Sequence, residues 1–176
     1  TSVMDVDDLK KVLPITNKLI KNTDILPLLR AHYQNKKIVF TNGCFDLLHI
    51  GHLDLLKQAR QLGDVLVIGL NSDVSIHALK GESRPICNEE DRTTLLTLIP
   101  DVDWIILFDD DEELLLLIKA LCPDIMVKGE DYRGRPITGR EFVESVGGKL
   151  VLISHQYNTS TTNIINQIEL RRGSHE

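Results

Sequence analysis

Thr41-Asn42-Gly43-Cys44-Phe45-Asp46-Leu47-Leu48-His49-Ile50-Gly51-His52 follows the apolar run Ile38-Val39-Phe40 and opens an amphipathic segment. The run is β-branched and aromatic and reads as a buried strand, and Gly43 supplies the permissive backbone needed where a strand turns sharply. Beyond it Leu53, Leu56, Ala59 and Leu62 recur at helical spacing as far as Gly63, which is expected to cap the helix. A helix therefore starts near His49. Its first turn carries His49 and His52 on one face, beside free N–H groups and the positive end of the helix dipole. Two imidazoles at a helix start that follows a strand make an anion site, so the stretch reads as a phosphate-handling turn.

Two other readings compete with this one. In the first, one histidine packs in the core while the other is solvated; the strand, the glycines and the helix start in one place argue for a site instead. In the second, Cys44, His49 and His52 bind zinc. Their spacing matches no common structural zinc pattern and no second cysteine lies near Cys44, so no metal ligands are assigned.

The residues Gly43-Cys44-Phe45-Asp46 and His49-Ile50-Gly51-His52 resemble the GxFD and HxGH signatures of the cytidylyltransferase-like nucleotidyltransferase superfamily. With Thr41-Asn42 in front, the string most closely resembles the family of heptose 1-phosphate adenylyltransferases, which make ADP-heptose for bacterial lipopolysaccharide. The resemblance extends over roughly residues 36–168.

Composition sets the outer limits. With 176 residues, 42% hydrophobic and 26% charged, the chain suits one well-buried domain. A net charge of −6 argues against a broad nucleic-acid or anionic-membrane footprint, so phosphate has to be held by local groups. Cys44, Cys87 and Cys122 form an odd set without CxxC spacing, which suits reduced thiols in a cytoplasm. No signal peptide or membrane-spanning apolar stretch is apparent.

Along the chain, Ile25, Leu28, Leu29 and Tyr33 suggest a helix before the first strand. Val65 to Leu70 is a continuous apolar run, expected as a central parallel strand. Asn71-Ser72-Asp73 ends it, on the rim where open α/β sheets bind ligands; an N-cap is the alternative there. Lys80-Gly81-Glu82-Ser83-Arg84-Pro85 is a basic loop. Asn88 reads as the cap of a helix packed through Leu95, Leu96 and Ile99. Trp104 to Phe108, Ile125 to Val127 and Leu150 to Ile153 are further strands, alternating with helices over Glu112 to Leu121 and Arg140 to Val146. Asp109-Asp110-Asp111 reads as a helix start and Ser160-Thr161-Thr162 as another, rich in donors. The fold class expected is a doubly wound, Rossmann-like α/β parallel sheet of about five strands with helices on both faces. Neither GxxxxGK[ST] nor GxGxxG occurs.

The resemblance implies transfer of AMP from ATP to a heptose 1-phosphate, with release of pyrophosphate and Mg²⁺ accompanying ATP. It implies His49, His52 and Lys80 as catalytic groups. Nucleotide or substrate contacts follow at Thr41, Asn42, Gly43, Cys44, Phe45, Asp46, Gly51, Asn71, Asp73, Arg84, Lys128, Gly129, Asp131, Ser160, Thr161 and Thr162. Arg92 matches a family arginine, with a structural salt bridge as its alternative. Lys128-Gly129-Glu130-Asp131-Tyr132 resembles a KGxDY segment in which Glu130 departs from the usual glycine. Residues 1–36 would form an N-terminal extension, 37–170 the transferase domain and 171–176 a tail. A cytoplasmic homodimer is expected, in a stand-alone form served by a separate sugar kinase. Alternatives are another superfamily transferase, such as a glycerol-3-phosphate cytidylyltransferase, or a non-catalytic nucleotide-binding regulatory module. HxGH also occurs in class I aminoacyl-tRNA synthetases, but the chain has no KMSKS-like loop and no basic face for tRNA.

Overall fold

The apolar runs read as strands form one parallel sheet, buried by helices on both faces. The computed structural model describes residues 18–173. Its strands are β1 (Leu19–Ile20), β2 (Ile38–Gly43), β3 (Val65–Asn71), β4 (Trp104–Phe108), β5 (Ile125–Gly129) and β6 (Lys149–Ile153). Its helices are α1 (Leu26–His32), α2 (Ile50–Arg60), α3 (Asp73–Lys80), α4 (Glu89–Thr97), α5 (Asp111–Leu121), α6 (Arg140–Ser145) and α7 (Thr161–Gly173).

Within the strands, side chains alternate between two cores. Ile38, Phe40, Val65, Val67, Trp104, Ile106 and Met126 meet α1, α5 and α6 through Leu26, Leu29, Leu117, Ile118 and Val143. Val39, Leu66, Ile68, Leu70, Ile105 and Val127 meet α2 and α4 through Leu56, Ala59 and Leu96. Both faces being apolar, the strands lose the polar alternation of a half-exposed sheet. The doubly wound parallel fold expected from the sequence is the one observed.

The strand order is β1-β4-β3-β2-β5-β6, all parallel. From β2 the chain winds outward through β3 to β4, then returns to place β5 on the other side of β2. That reversal leaves a crevice at the carboxyl ends of β2 and β5, the place where such sheets bind ligands.

The structure departs from the sequence reading in four places. A sixth strand exists: β1, too short to show a period, pairs Leu19 and Ile20 with Ile105 and Ile106 at the edge. Gly63 does not cap α2, which ends at Arg60 with Gln61 as C-cap. Its need for glycine is steric, since an added Cβ would stand 2.6 Å from Val39 Cγ2 and 2.8 Å from Lys37 O. Leu53 and Leu95 are exposed, at 39% and 43%, and Leu56 and Leu96 carry the packing instead. In α4 the buried set includes Arg92, Thr93 and Thr97, a polar face that periodicity in apolar residues could not reveal. Of the N-terminal segment, Leu26 and Leu29 enter the core, while residues 1–17 lie outside the described residues, as do 174–176 of the expected tail.

Candidate active site

Past Gly43 the backbone enters an unusual conformation: Phe45 and Leu47 have φ of 47° and 52°. Non-glycine residues in this region cost about 1–3 kcal/mol each and persist only where surrounding contacts hold them. Asp46, between them and 1% exposed, is one holder. Its carboxylate accepts from Ile86 N (2.8 Å), Cys87 N (2.9 Å) and Arg84 Nε (2.9 Å). Burial alone would raise the Asp46 carboxyl, but these hydrogen bonds outweigh it and keep it below its usual range. The second holder is Arg92, 1% exposed, which donates to Cys44 O (2.8 Å), Asn71 O (2.7 Å), Cys87 O (2.9 Å) and Asp73 Oδ1 (2.7 Å). One guanidinium thus ties the turn after β2, the end of β3 and the 84–88 loop together. Arg92 takes the structural salt-bridge alternative, in a form that shapes the site.

His49 is the N-cap of α2, and the two histidines cap the helix reciprocally. His49 Nδ1 accepts from Gly51 N (3.1 Å) and His52 Nδ1 accepts from His49 N (3.3 Å). These N–H groups, read from sequence as free, are therefore occupied. The rings stack at 3.8 Å, and Phe45 packs on His52 at 5.3 Å. An Nδ1 that accepts a backbone proton must carry a lone pair, so in the neutral ring the hydrogen sits on Nε2. Burial, then the neighbouring His155, lowers His49. Burial, then His49 and Lys80, pushes His52 down to about 4 against a weaker opposing pull from Asp46. At neutral pH the helix start thus presents two neutral imidazoles, each with an Nε2–H donor.

Across the crevice, Lys128 is buried at the end of β5. Its Nζ donates to Asn42 O at 2.8 Å and lies 4.7 Å over the Tyr132 ring. Burial lowers it to about 8, despite the raising influence of Cys44, Asp131 and Asp111. Thr41 Oγ1 donates to Val127 O (2.9 Å), clamping β2 to β5. Beyond β6, Ser160 Oγ accepts from Asn163 N (3.1 Å) at the start of α7, and Thr161 Oγ1 donates to Asp46 O (2.7 Å). The helix start is thereby fastened to the Asp46 turn.

A cavity of about 850 Å³ runs between these elements, in the size range of small-ligand sites. It is lined by Thr41, Asn42, Gly43, Cys44, Phe45, Asp46, His49, Gly51, His52, Asn71, Lys80, Arg84, Lys128, Gly129, Asp131, Ser160, Thr161 and Thr162. Of the catalytic and contact residues implied by the resemblance, Asp73 alone is not among the lining; its carboxylate is committed to Arg92. Arg84, expected as a nucleotide or substrate contact, lines the cavity with its guanidinium against Asp46. Asn71 presents little, since its Nδ2 bonds Ser75 Oγ at 3.0 Å and its carbonyl holds Arg92. Sequence reasoning missed Phe108, Ile137, His155 and Tyr157 in the lining. None sits in a motif; the topology alone brings together the end of β4 and the loops before α6 and after β6.

The lowered His52 makes a prediction about stability. Between pH 6.5 and about 4 the unfolded chain binds a proton on this ring that the folded chain refuses, so stability rises with pH across that window. The contribution is fully present above pH 6.5 and lost as pH falls through 4; the shift corresponds to about 3 kcal/mol. Asp46, also lowered, adds a loss of the same sign at more acid pH. Urea midpoints between pH 7 and 4 should fall steeply in the native protein and less steeply in His52→Gln. Equal slopes would show that His52 is not the group responsible.

Comparison with known proteins agrees with this geometry. The cytidylyltransferase-like family model matches residues 40–167. The bifunctional protein HldE of Citrifermentans bemidjiense is 49% identical over 151 residues, 85% of this chain and 31% of that protein. The chain thus spans about a third (31%) of the length of the curated relatives it matches. The crystal structure of the lipopolysaccharide core biosynthesis protein from Thermoplasma volcanium aligns with a TM-score of 0.55, covering 70% of this chain and 99% of that one at 26% identity. Pantoate-beta-alanine ligase from Francisella tularensis shares the fold, with a TM-score of 0.60 over 86% of this chain and 76% of that one at 16% identity. The family match takes in the whole run from the end of β2 into α7, including both histidines and the Ser160 helix start, and the chain belongs to the cytidylyltransferase-like family.

Proposed function

We propose that the chain is a nucleotidyltransferase that moves AMP from ATP to a heptose 1-phosphate, giving ADP-heptose and pyrophosphate. One observation carries the reading: two stacked imidazoles whose Nδ1 atoms cap α2, leaving both Nε2–H groups as donors beside the Ser160 start of α7. The likeness to a lipopolysaccharide core biosynthesis protein and the Thr41-to-Asp46 string support the choice of sugar.

The acceptor is a phosphate monoester with a second pKa of ~6, mostly dianionic at neutral pH, so it attacks without a general base. Its oxygen forms the new bond to the α-phosphorus, the bond from that phosphorus to the α,β-bridging oxygen breaks, and pyrophosphate leaves with the electron pair. What the protein supplies is position and charge stabilisation. His49 and His52 donate to phosphate oxygens as charge builds, Lys80 adds positive potential at the rim, and the α7 start offers backbone N–H groups to the far end of the triphosphate. Mg²⁺ would enter with ATP, held by phosphate oxygens and water, and would neutralise part of the polyphosphate charge. The donor set does not suit a protein-held cation: Asp46 is engaged by its loop, and among the described residues no three His, Cys, Asp or Glu side chains converge as ligands. A cytoplasmic homodimer completes the proposal on the strength of the family resemblance. Among the described residues no helix is long and apolar enough to cross a membrane.

The test is pyrophosphate release with ATP, CTP and GTP in turn against heptose 1-phosphate and glycerol 3-phosphate, with Mg²⁺ present. Release with ATP and heptose 1-phosphate alone is expected. CTP with glycerol 3-phosphate would keep the mechanism and change the substrate; ATP binding without release from any pair would make the chain a regulatory module.

A further inference from the structure

A third imidazole lines the cavity that holds His49 and His52. His155 stands in the loop after β6, and its neighbours Ser154, Gln156 and Tyr157 form no recognisable motif. Its Nε2 lies 3.1 Å from Oδ1 of Asp131, in the turn after β5. Two strand ends meet in this pair, and Gly129 makes the meeting possible: a Cβ there would overlap Asp131 Oδ1 and stand 2.8 Å from His155 Nε2. A carboxylate that engages one ring nitrogen fixes the ring's orientation and leaves the other nitrogen for a ligand. Here that nitrogen is Nδ1.

The loop carrying His155 also abuts the helix start that carries the other two rings. A Cβ on Gly51 would lie 3.2 Å from Thr159 O on one side and 3.0 Å from the His49 ring on the other. The same loop runs directly into Ser160, the cap of α7. His155 is near enough to both His49 and His52 to disfavour their protonation. His49, His52 and His155 thus line one cavity, which suits a polyanion. The Asp131–His155 pair is half-exposed, with side chains 54% and 47% accessible. Exposed pairs of this kind contribute little to stability, so the fold does not account for it.

We propose that His155, oriented by Asp131, is a third imidazole contact to the polyphosphate, on the side of the pyrophosphate that leaves. The proposal rests on the nucleotidyltransferase reading for the identity of the anion. With Nε2 donating to the Asp131 carboxylate, His155 donates from Nδ1 as the doubly protonated ring, an imidazolium shared between Asp131 and a phosphate oxygen whose charge grows as the α,β-bridging bond breaks, so its effect falls on the transition state as well as on binding. Asp131 is a positioning residue that acts through it.

Calorimetry with inorganic tripolyphosphate and, separately, with adenosine tests this on the full chain, for native protein, His155→Ala, His155→Gln and Asp131→Asn. His155→Ala should weaken tripolyphosphate binding roughly tenfold or more and leave adenosine binding unchanged. His155→Gln, which keeps a donor, should recover part of the loss, and Asp131→Asn should fall between. In turnover, His155→Ala should lower kcat without changing KM for the acceptor. Native protein that binds tripolyphosphate, with His155→Ala binding it equally well, would overturn this assignment alone. Equal loss for adenosine would also overturn it, by moving His155 to the base. Native protein that binds no tripolyphosphate would overturn both this assignment and the transferase reading. The wrong acceptor sugar would affect none of the binding results.

Discussion

His52→Ala is expected to lower turnover by about 100-fold or more, the loss typical when one donor to a developing oxyanion is removed. The size follows from the tautomer. His52 Nδ1 accepts the His49 backbone proton at 3.3 Å, so the ring hydrogen is on Nε2, and burial first, with His49 and Lys80, keeps the ring neutral down to about pH 4. A neutral donor fixed by its own helix cap needs no reorganisation as the phosphate gains charge. The fold should survive, since the structural loss is one half of a reciprocal cap, about 1 kcal/mol. Single-turnover pyrophosphate release alongside thermal melts separates the two effects. His52→Asn, whose amide keeps a donor, should recover part of the rate. Near-native kcat in a folded His52→Ala protein would remove the histidine from the chemistry.

Arg92→Met should have the largest effect on stability, about 3–5 kcal/mol, the usual cost of removing one partner from a buried charge network. The side chain is 1% exposed, and its loss strands the carbonyls of Cys44, Asn71 and Cys87 as well as the Asp73 carboxylate. Domains have about 5–15 kcal/mol in total, so about a fifth or more of the stability is at stake. Arg92→Lys should not rescue it, because one ammonium cannot span four acceptors that a planar fork reaches together. Urea unfolding measures the loss, and a change under about 1 kcal/mol would mean the carbonyls find water or other partners. A folded remnant should also bind polyphosphate poorly, since the turn carrying Phe45 and Leu47 at positive φ depends on Arg92 and Asp46 to hold it.

How much of this was legible can be judged from particular residues. The helix start at His49 was readable because its signals are local: a strand, a glycine, and apolar residues at helical spacing. The cap Asn88 and the helix start at Asp109-Asp110-Asp111 were readable for the same reason. The bond from Arg84 to Asp46 and that from Arg92 to Cys44 were not, because they join residues 38 and 48 positions apart. Gly63 was misread because close packing and left-handed backbone both select glycine, and the sequence shows only the selection.

By itself the sequence determined the alternation of strands and helices, the doubly wound class, and the motif residues at the strand ends, since periodicity and turn chemistry act over a few neighbours. Only the tertiary structure decided which donors are free. It placed the ring protons on Nε2 by making both Nδ1 atoms caps, committed Arg84 to Asp46 and Asp73 to Arg92, and brought His155 from an unmarked loop to the side of Asp131. The reason is physical: a polar group's chemistry depends on which of its hydrogen bonds are already made, and in this fold the partners come from distant strand ends.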